Sequence, residues 1–144
     1  MSAQPSAPRL GGDPLPDALA ALTGCAVTRF IVDDSLTVVL QAAGREAALR
    51  IDGEGVFERR DGPALRISPD ADPAGLAPVL ALLNARIAGV ALDADGRLEL
   101  RFEGGARLAA LPADHHVSWS VRVSGKDAGG ASASCIAEGK VVWE

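Results

Sequence analysis

Tyrosine is absent from this 144-residue chain, and only three Phe and two Trp are present. An aromatic core is thereby excluded, so Leu, Val, Ile and the many Ala must fill the interior. Basic charge is also scarce. Fourteen Lys and Arg stand against nineteen Asp and Glu, a net charge of −5. That balance argues against a nucleic-acid or anionic-membrane surface, both of which need a concentrated basic patch. The densest basic pair, Arg59-Arg60, is flanked by Glu58 and Asp61 and reads as a solvated turn. No apolar run approaches the ~20 residues of a membrane span. The N-terminal MSAQPSAPRLGG has no hydrophobic signal core, so a cytoplasmic location is the expectation.

Chemistry-bearing residues are few. Cys25 and Cys135 are far apart and lack CxxC spacing, so neither a zinc ribbon nor a disulfide framework is implied. They read as two small core residues, with a mutual disulfide left open. The only histidines, His115 and His116, are adjacent and follow Asp114. Neighbouring side chains on a strand point to opposite faces, so this pair does not readily chelate one metal. There is no G-x-S-x-G elbow and no phosphate loop. No catalytic residue, metal site or cofactor is expected.

A chain of this length suits one domain, which can bury roughly 68–70% of its unfolded surface. The Ala, Gly, Arg and Asp bias resembles the codon bias of a GC-rich bacterial genome, so alanine is weak evidence of helix here. Residues 1–16 hold four of the nine prolines and read as a disordered tail before a single domain over 17–144. PDALAALTG (16–24) fits one or two helical turns ending at Gly24. From Ala26 the period becomes two. Thr28, Phe30 and Val32 alternate with Arg29 and Ile31, and Leu36, Val38 and Leu40 alternate with Thr37, Val39 and Gln41. This predicts a hairpin around Asp33-Asp34-Ser35, then a third strand over 46–51 after the turn at Ala43-Gly44. Residues 56–67 add a short strand pair.

The stretch 68–87 predicts the main helix. Asp72-Pro73 starts it, Leu76, Val79, Leu80 and Leu83 form one stripe, and it ends near Asn84. Pro78 fits only within the first turn and otherwise kinks the helix. Beyond it, VSWSVRV (117–123) alternates cleanly, SGKDAGGASAS (124–134) reads as a loop, and CIAEGKVVW reads as a hairpin turning at Glu138-Gly139.

The first half then recurs. Val27, Phe30, Val32 and Asp33 match Ile87, Val90, Leu92 and Asp93 at an offset of 60. Leu36, Val38 and Leu40 match Leu98, Leu100 and Phe102 at an offset of 62, and Arg45 to Leu49 match Arg107 to Leu111 at the same offset. Two pseudo-repeats, 27–51 and 87–111, follow from this. The second contains Asp93-Ala-Asp95-Gly96, which resembles the start of a calcium loop. Such a loop needs oxygen ligands at positions 1, 3, 5 and 12 around a Gly at 6. Here positions 1 and 12 are Ala91 and Phe102, so the metal reading fails. Asp95-Gly96 is read as a two-residue type I′ turn.

The chain resembles a family of short bacterial proteins carrying a domain of unknown function. The matching features are Leu22, Gly24 and Val27; the Asp72 to Leu83 stretch; Gly96 to Phe102; Leu111 to Trp119; and the closing G-K-V-V-W that ends at Trp143. The resemblance spans about residues 19–144 and brings no catalytic residues with it.

The resulting expectation is an α+β fold: an antiparallel sheet or half-barrel from two pseudo-repeated three-stranded units, one main helix between them, and a C-terminal hairpin. The leading functional expectation is a non-enzymatic protein-binding module, specifically an immunity-type toxin neutraliser, as a monomer or homodimer. Trp119, Trp143, Asp114, His115 and His116 are its candidate contacts. Trp119 is also read as a core residue in phase with Val117, Val121 and Val123. The alternative is a small-ligand or homodimer module using a cleft between the repeats, lined by Phe30, Phe102 and Trp119. A third reading pairs Asp33 or Asp34 with Asp93 or Asp95 in a hydrolytic pocket.

Overall fold

The computed structural model describes residues 15–113, 116–125, 130–135 and 139–143. Of the tail expected over 1–16, residues 1–14 lie outside these limits. Pro16 is buried and Leu15 packs partly buried against the core, so both belong to the domain. Helix α1 (Asp17–Ala20) is a single turn that buries Ala18 and Leu19. Gly24, with φ +90, takes up a backbone conformation that other residues resist and turns the chain into the first strand.

Apart from one 3-10 helix, the regular structure that follows is strand, β-rich rather than the expected α+β. The strands are β1 (Ala26–Val32), β2 (Leu36–Ala42), β3 (Arg45–Ile51), β4 (Gly55–Glu58), β5 (Ala64–Ile67), β6 (Ile87–Leu92), β7 (Leu98–Phe102), β8 (Arg107–Ala110), β9 (Trp119–Gly125), β10 (Ser132–Cys135) and β11 (Val141–Trp143). They form two antiparallel sheets, one ordered β1-β2-β3-β9-β10-β11 and the other β5-β4-β8-β7-β6. Alternation sets the inward faces. Leu36, Val38 and Leu40 of β2, Leu49 and Ile51 of β3, and Trp119, Val121 and Val123 of β9 share one core with Phe57, Leu98, Leu100, Phe102 and Leu108. Each such aliphatic side chain contributes about 1.5–3 kcal/mol on full burial. The stretch read as a loop over 124–134 is partly strand, since Ser124 and Gly125 continue β9 and Ser132 opens β10.

The expected main helix is a ten-residue 3-10 helix, Pro73–Leu82. Its start is as read: the Asp72 carboxylate accepts the Gly75 N–H at 3.1 Å. Pro78 lies well inside it and has no N–H to give an α-helical bond, while its ring would crowd the carbonyl four residues back. A 3-10 helix repeats every three residues, and the buried residues are Leu76, Val79 and Leu82. Leu80 and Leu83, placed on the apolar stripe by an α-helical period, are 55% and 48% exposed.

The connectivity crosses between sheets. Strands β1-β2-β3 form a meander in one sheet, yet the chain then passes into the other, where β4 pairs with β8. Likewise β6-β7-β8 form a meander in the second sheet, and the chain returns to place β9 on β3. The two leading hairpins share a register. Val27 and Val32 face Leu40 and Leu36 in one, while Ile87 and Leu92 face Phe102 and Leu98 in the other. Each carries a bulge, between Val27 and Arg29 and between Ile87 and Gly89. The third strands depart from the sequence match. Val38 faces Leu49, whereas Leu100 faces Leu108 and not Leu111. The second hairpin turns two residues sooner, with Phe102 N–H donating to the Ala106 carbonyl at 2.9 Å where the first runs on to pair Ala42 with Arg45, and this earlier turn accounts for the slip.

The two sheets touch through the starts of β1 and β6. Ala26 and Arg86 form an antiparallel bridge. Around it Gly24 N–H donates to the Ile87 carbonyl and Ile87 N–H to the Cys25 carbonyl, each at 2.8 Å, while Val27 N–H donates to Ala85 at 2.9 Å.

Candidate functional site

The residues expected to make contacts are dispersed. Trp119 is fully buried, and its indole N–H donates to the Gly96 carbonyl at 2.8 Å. Trp143 is half-buried on the core. His116 is exposed beside Gly53, and Asp114 and His115 lie outside the described residues. Phe102 and Trp119, two of the three residues assigned to a cleft between the repeats, are core residues, and Phe30 is partly buried against the same core.

Trp119 and the Asp93–Gly96 turn explain each other. Leu92 pairs with Leu98, Asp93 N–H donates to the Arg97 carbonyl, and Gly96 N–H donates to the Asp93 carbonyl. The loop therefore has three residues, and Gly96 alone takes a positive φ, +91. This is a type I turn followed by a left-handed glycine, not the two-residue type I′ turn, which needs positive φ at both central positions. The Asp93 carboxylate directs it by accepting from the Asp95 and Arg97 N–H groups at 2.9 and 3.0 Å. A side chain on Gly96 would run into the Gly139 carbonyl and the Cys135 sulfur, and one on Gly139 into the Asp95 carbonyl. The buried Cys135 thiol is pushed up in pKa by its burial. Neither cysteine is in a disulfide.

The carboxylates serve their own turns. Asp33 accepts from the Ser35 N–H at 2.9 Å and hydroxyl at 2.8 Å, and the backbone bond first, then the hydroxyl, hold its carboxyl below the ordinary range. Arg50 donates to Asp52 at 2.9 Å, and that hydrogen bond raises the guanidinium pKa; Asp34 stands 4.0 Å away. Glu54 is lowered by the hydrogen bond from Arg66. Among the described residues no group of three or more His, Cys, Asp or Glu is placed to hold a metal ion.

What remains is the edge of the larger sheet. Strand β1 pairs with β2 on one side, and beyond its bridge to Arg86 no described strand pairs with the other. Asp33 N–H bonds inward to Ser35 at 3.1 Å. Antiparallel groups alternate, so Ile31 and Arg29 also bond inward, and the N–H and C=O of Phe30 and Val32 point out. Ile31 and Val32 are 42% and 47% exposed. Among the described residues these main-chain groups have no strand partner, and they lie together with apolar side chains between Arg29 and the Asp33-Asp34 pair. The sequence carried a signal for this, because Phe30-Ile31-Val32 is apolar on both faces where a half-buried strand would alternate.

Fold and edge together define a two-sheet antiparallel β protein in which strand β1 ends one sheet. The chain belongs to a family of unknown function (DUF6188), which matches residues 18–144. No curated protein and no solved structure matches it. Among the described residues, no helix is long and apolar enough to cross a membrane.

Proposed function

We propose that this chain is a non-enzymatic protein-binding module that engages its partner through the outer edge of β1. The observation that carries the reading is the coincidence at one strand of outward main-chain groups and the exposed side chains of Ile31 and Val32. An exposed apolar edge is ordinarily guarded or paired, because it templates addition of another strand. Leu80 and Leu83 extend apolar surface on the 3-10 helix, whose exit residue Asn84 donates to the Val27 carbonyl at 2.8 Å. The finer version is an immunity-type neutraliser of a toxin. Mixing the chain with the product of a neighbouring gene tests it: a stable complex that Ile31→Lys weakens is the expected result. A complex indifferent to that substitution would remove β1 as the surface.

The equal registers of the two hairpins, their matched bulges and the Ala26–Arg86 bridge, whose residues are 60 apart, support descent of the meanders from one duplicated unit. The bridge lies where a local two-fold axis relating them would pass. The ligand-cleft reading has less behind it, since Phe102 and Trp119 are enclosed.

A further inference from the structure

We propose that the partner of the β1 edge is a second copy of this chain, paired β1 to β1 antiparallel with Ile31 on the two-fold axis. This rests on the binding reading above and specifies its occupant. Three symmetric registers bring the outward groups of Phe30 or Val32 face to face. With Phe30 on the axis, Arg29 stands opposite Ile31. With Val32 on the axis, Asp33 stands opposite Ile31. Both set a charge against an apolar side chain. With Ile31 on the axis, Phe30 and Val32 exchange N–H···O=C bonds with the second copy's Val32 and Phe30. On the solvent face Ile31 then meets Ile31, and Arg29 meets Asp33 twice by symmetry. Opposite charges and apolar pairs directly across two strands are favourable, and like charges there are not.

The groups required are available. Arg29 and Ile31 are exposed, and among the described residues Arg29 makes no salt bridge. Asp33 binds Ser35 through one oxygen, Oδ1, leaving the other for a guanidinium. The corresponding edge of β6 is a natural contrast. Gly89 stands where β1 has Arg29, and Leu92 is only 8% exposed where Val32 is 47% exposed. That edge has the acid, Asp93, without the base. The edge strand β5 is four residues long, follows Pro63, and has Arg66 tied to Glu54. Of these three edges, charge self-complementarity belongs to β1.

The test uses the full chain. A side chain on the axis at a non-hydrogen-bonded position faces its own copy, so Ile31→Cys should form a disulfide-linked dimer under mild oxidation. Leu80→Cys, at least as exposed but off the strand, should not. The native Cys25 and Cys135 are buried and contribute little background. By sedimentation, Ile31→Lys should raise the dimer dissociation constant roughly tenfold or more, because two ammonium groups then meet across the axis. A wild-type chain that stays monomeric, with no Ile31→Cys cross-link, overturns the proposal; so does cross-linking through Leu80→Cys alone. If the chain is monomeric yet a neighbouring-gene product binds and Ile31→Lys weakens that complex, protein binding stands and self-pairing falls.

Discussion

At Gly96 the demand on the residue is spatial as well as torsional. Both Gly96 and Gly104 sit at positive φ, +91 and +96. A methyl group at Gly104 would meet open space, whereas one at Gly96 would meet the Gly139 carbonyl and the Cys135 sulfur. The pair separates two costs that are usually confounded. Gly104→Ala should lose only the left-handed penalty, about 1–2 kcal/mol. Gly96→Ala should lose that and also force apart two backbone segments while disturbing the Trp119 hydrogen bond, for a total of about 3 kcal/mol or more. Urea unfolding of the two variants measures the difference, and equal losses would show that the close approach is unimportant. Sequence could nominate Gly96 as a turn glycine from the Asp95-Gly96 pair. It could not reveal the tight contact, because Gly139 lies on a segment brought there by the tertiary fold.

Among the elements, the 3-10 helix shows how a correct start can lead to a wrong face. Asp72-Pro73 marks the beginning in sequence and in structure alike. The face depends on period, and Leu76, Val79, Leu80, Leu82 and Leu83 offer apolar residues to either period. Pro78 decides the matter by denying the α-helical bond. The two periods make opposite predictions. Leu82→Ala should cost about 2–5 kcal/mol as a buried truncation, and Leu83→Ala should stay within about 0.5 kcal/mol. Thermal unfolding of both variants checks this, and the reverse order would restore the α-helical stripe. The strands were more legible. The alternation in β2 and β9 needs no long-range information, and the turns at Asp33-Asp34-Ser35 and Gly44 are local chemistry. The pairing of β3 with β9 and of β4 with β8 was not legible, since a short strand states which face is apolar and not which neighbour it will meet. For the same reason Phe30-Ile31-Val32 marks apolar surface in the sequence without marking it as a sheet edge, an edge being defined by which neighbours a strand meets.

For the molecule as a whole, the crossing makes each half depend on the other. Residues 15–67 contain one meander and the β4-β5 hairpin of the opposite sheet, and 73–144 contain the other meander and the three strands β9, β10 and β11 of the first sheet. Either alone leaves a three-stranded meander with one apolar face uncovered and its β3 or β8 edge open. Each half expressed separately should lack the circular-dichroism signature and cooperative unfolding of the full chain, and mixing the two should restore both. A stable fold in one half alone would show that the exchange is dispensable. The same crossing bears on how the protein comes into being. Strand β3 leaves the ribosome early, but its partner β9 follows only after the 3-10 helix and the entire second meander. Neither sheet can close during most of synthesis, so the nascent chain carries an open apolar edge, and its many distant contacts favour slow folding. Late closure gives a nascent β1 or β3 time to meet a strand from a neighbouring chain, and crowded polysomes are where that encounter is most frequent.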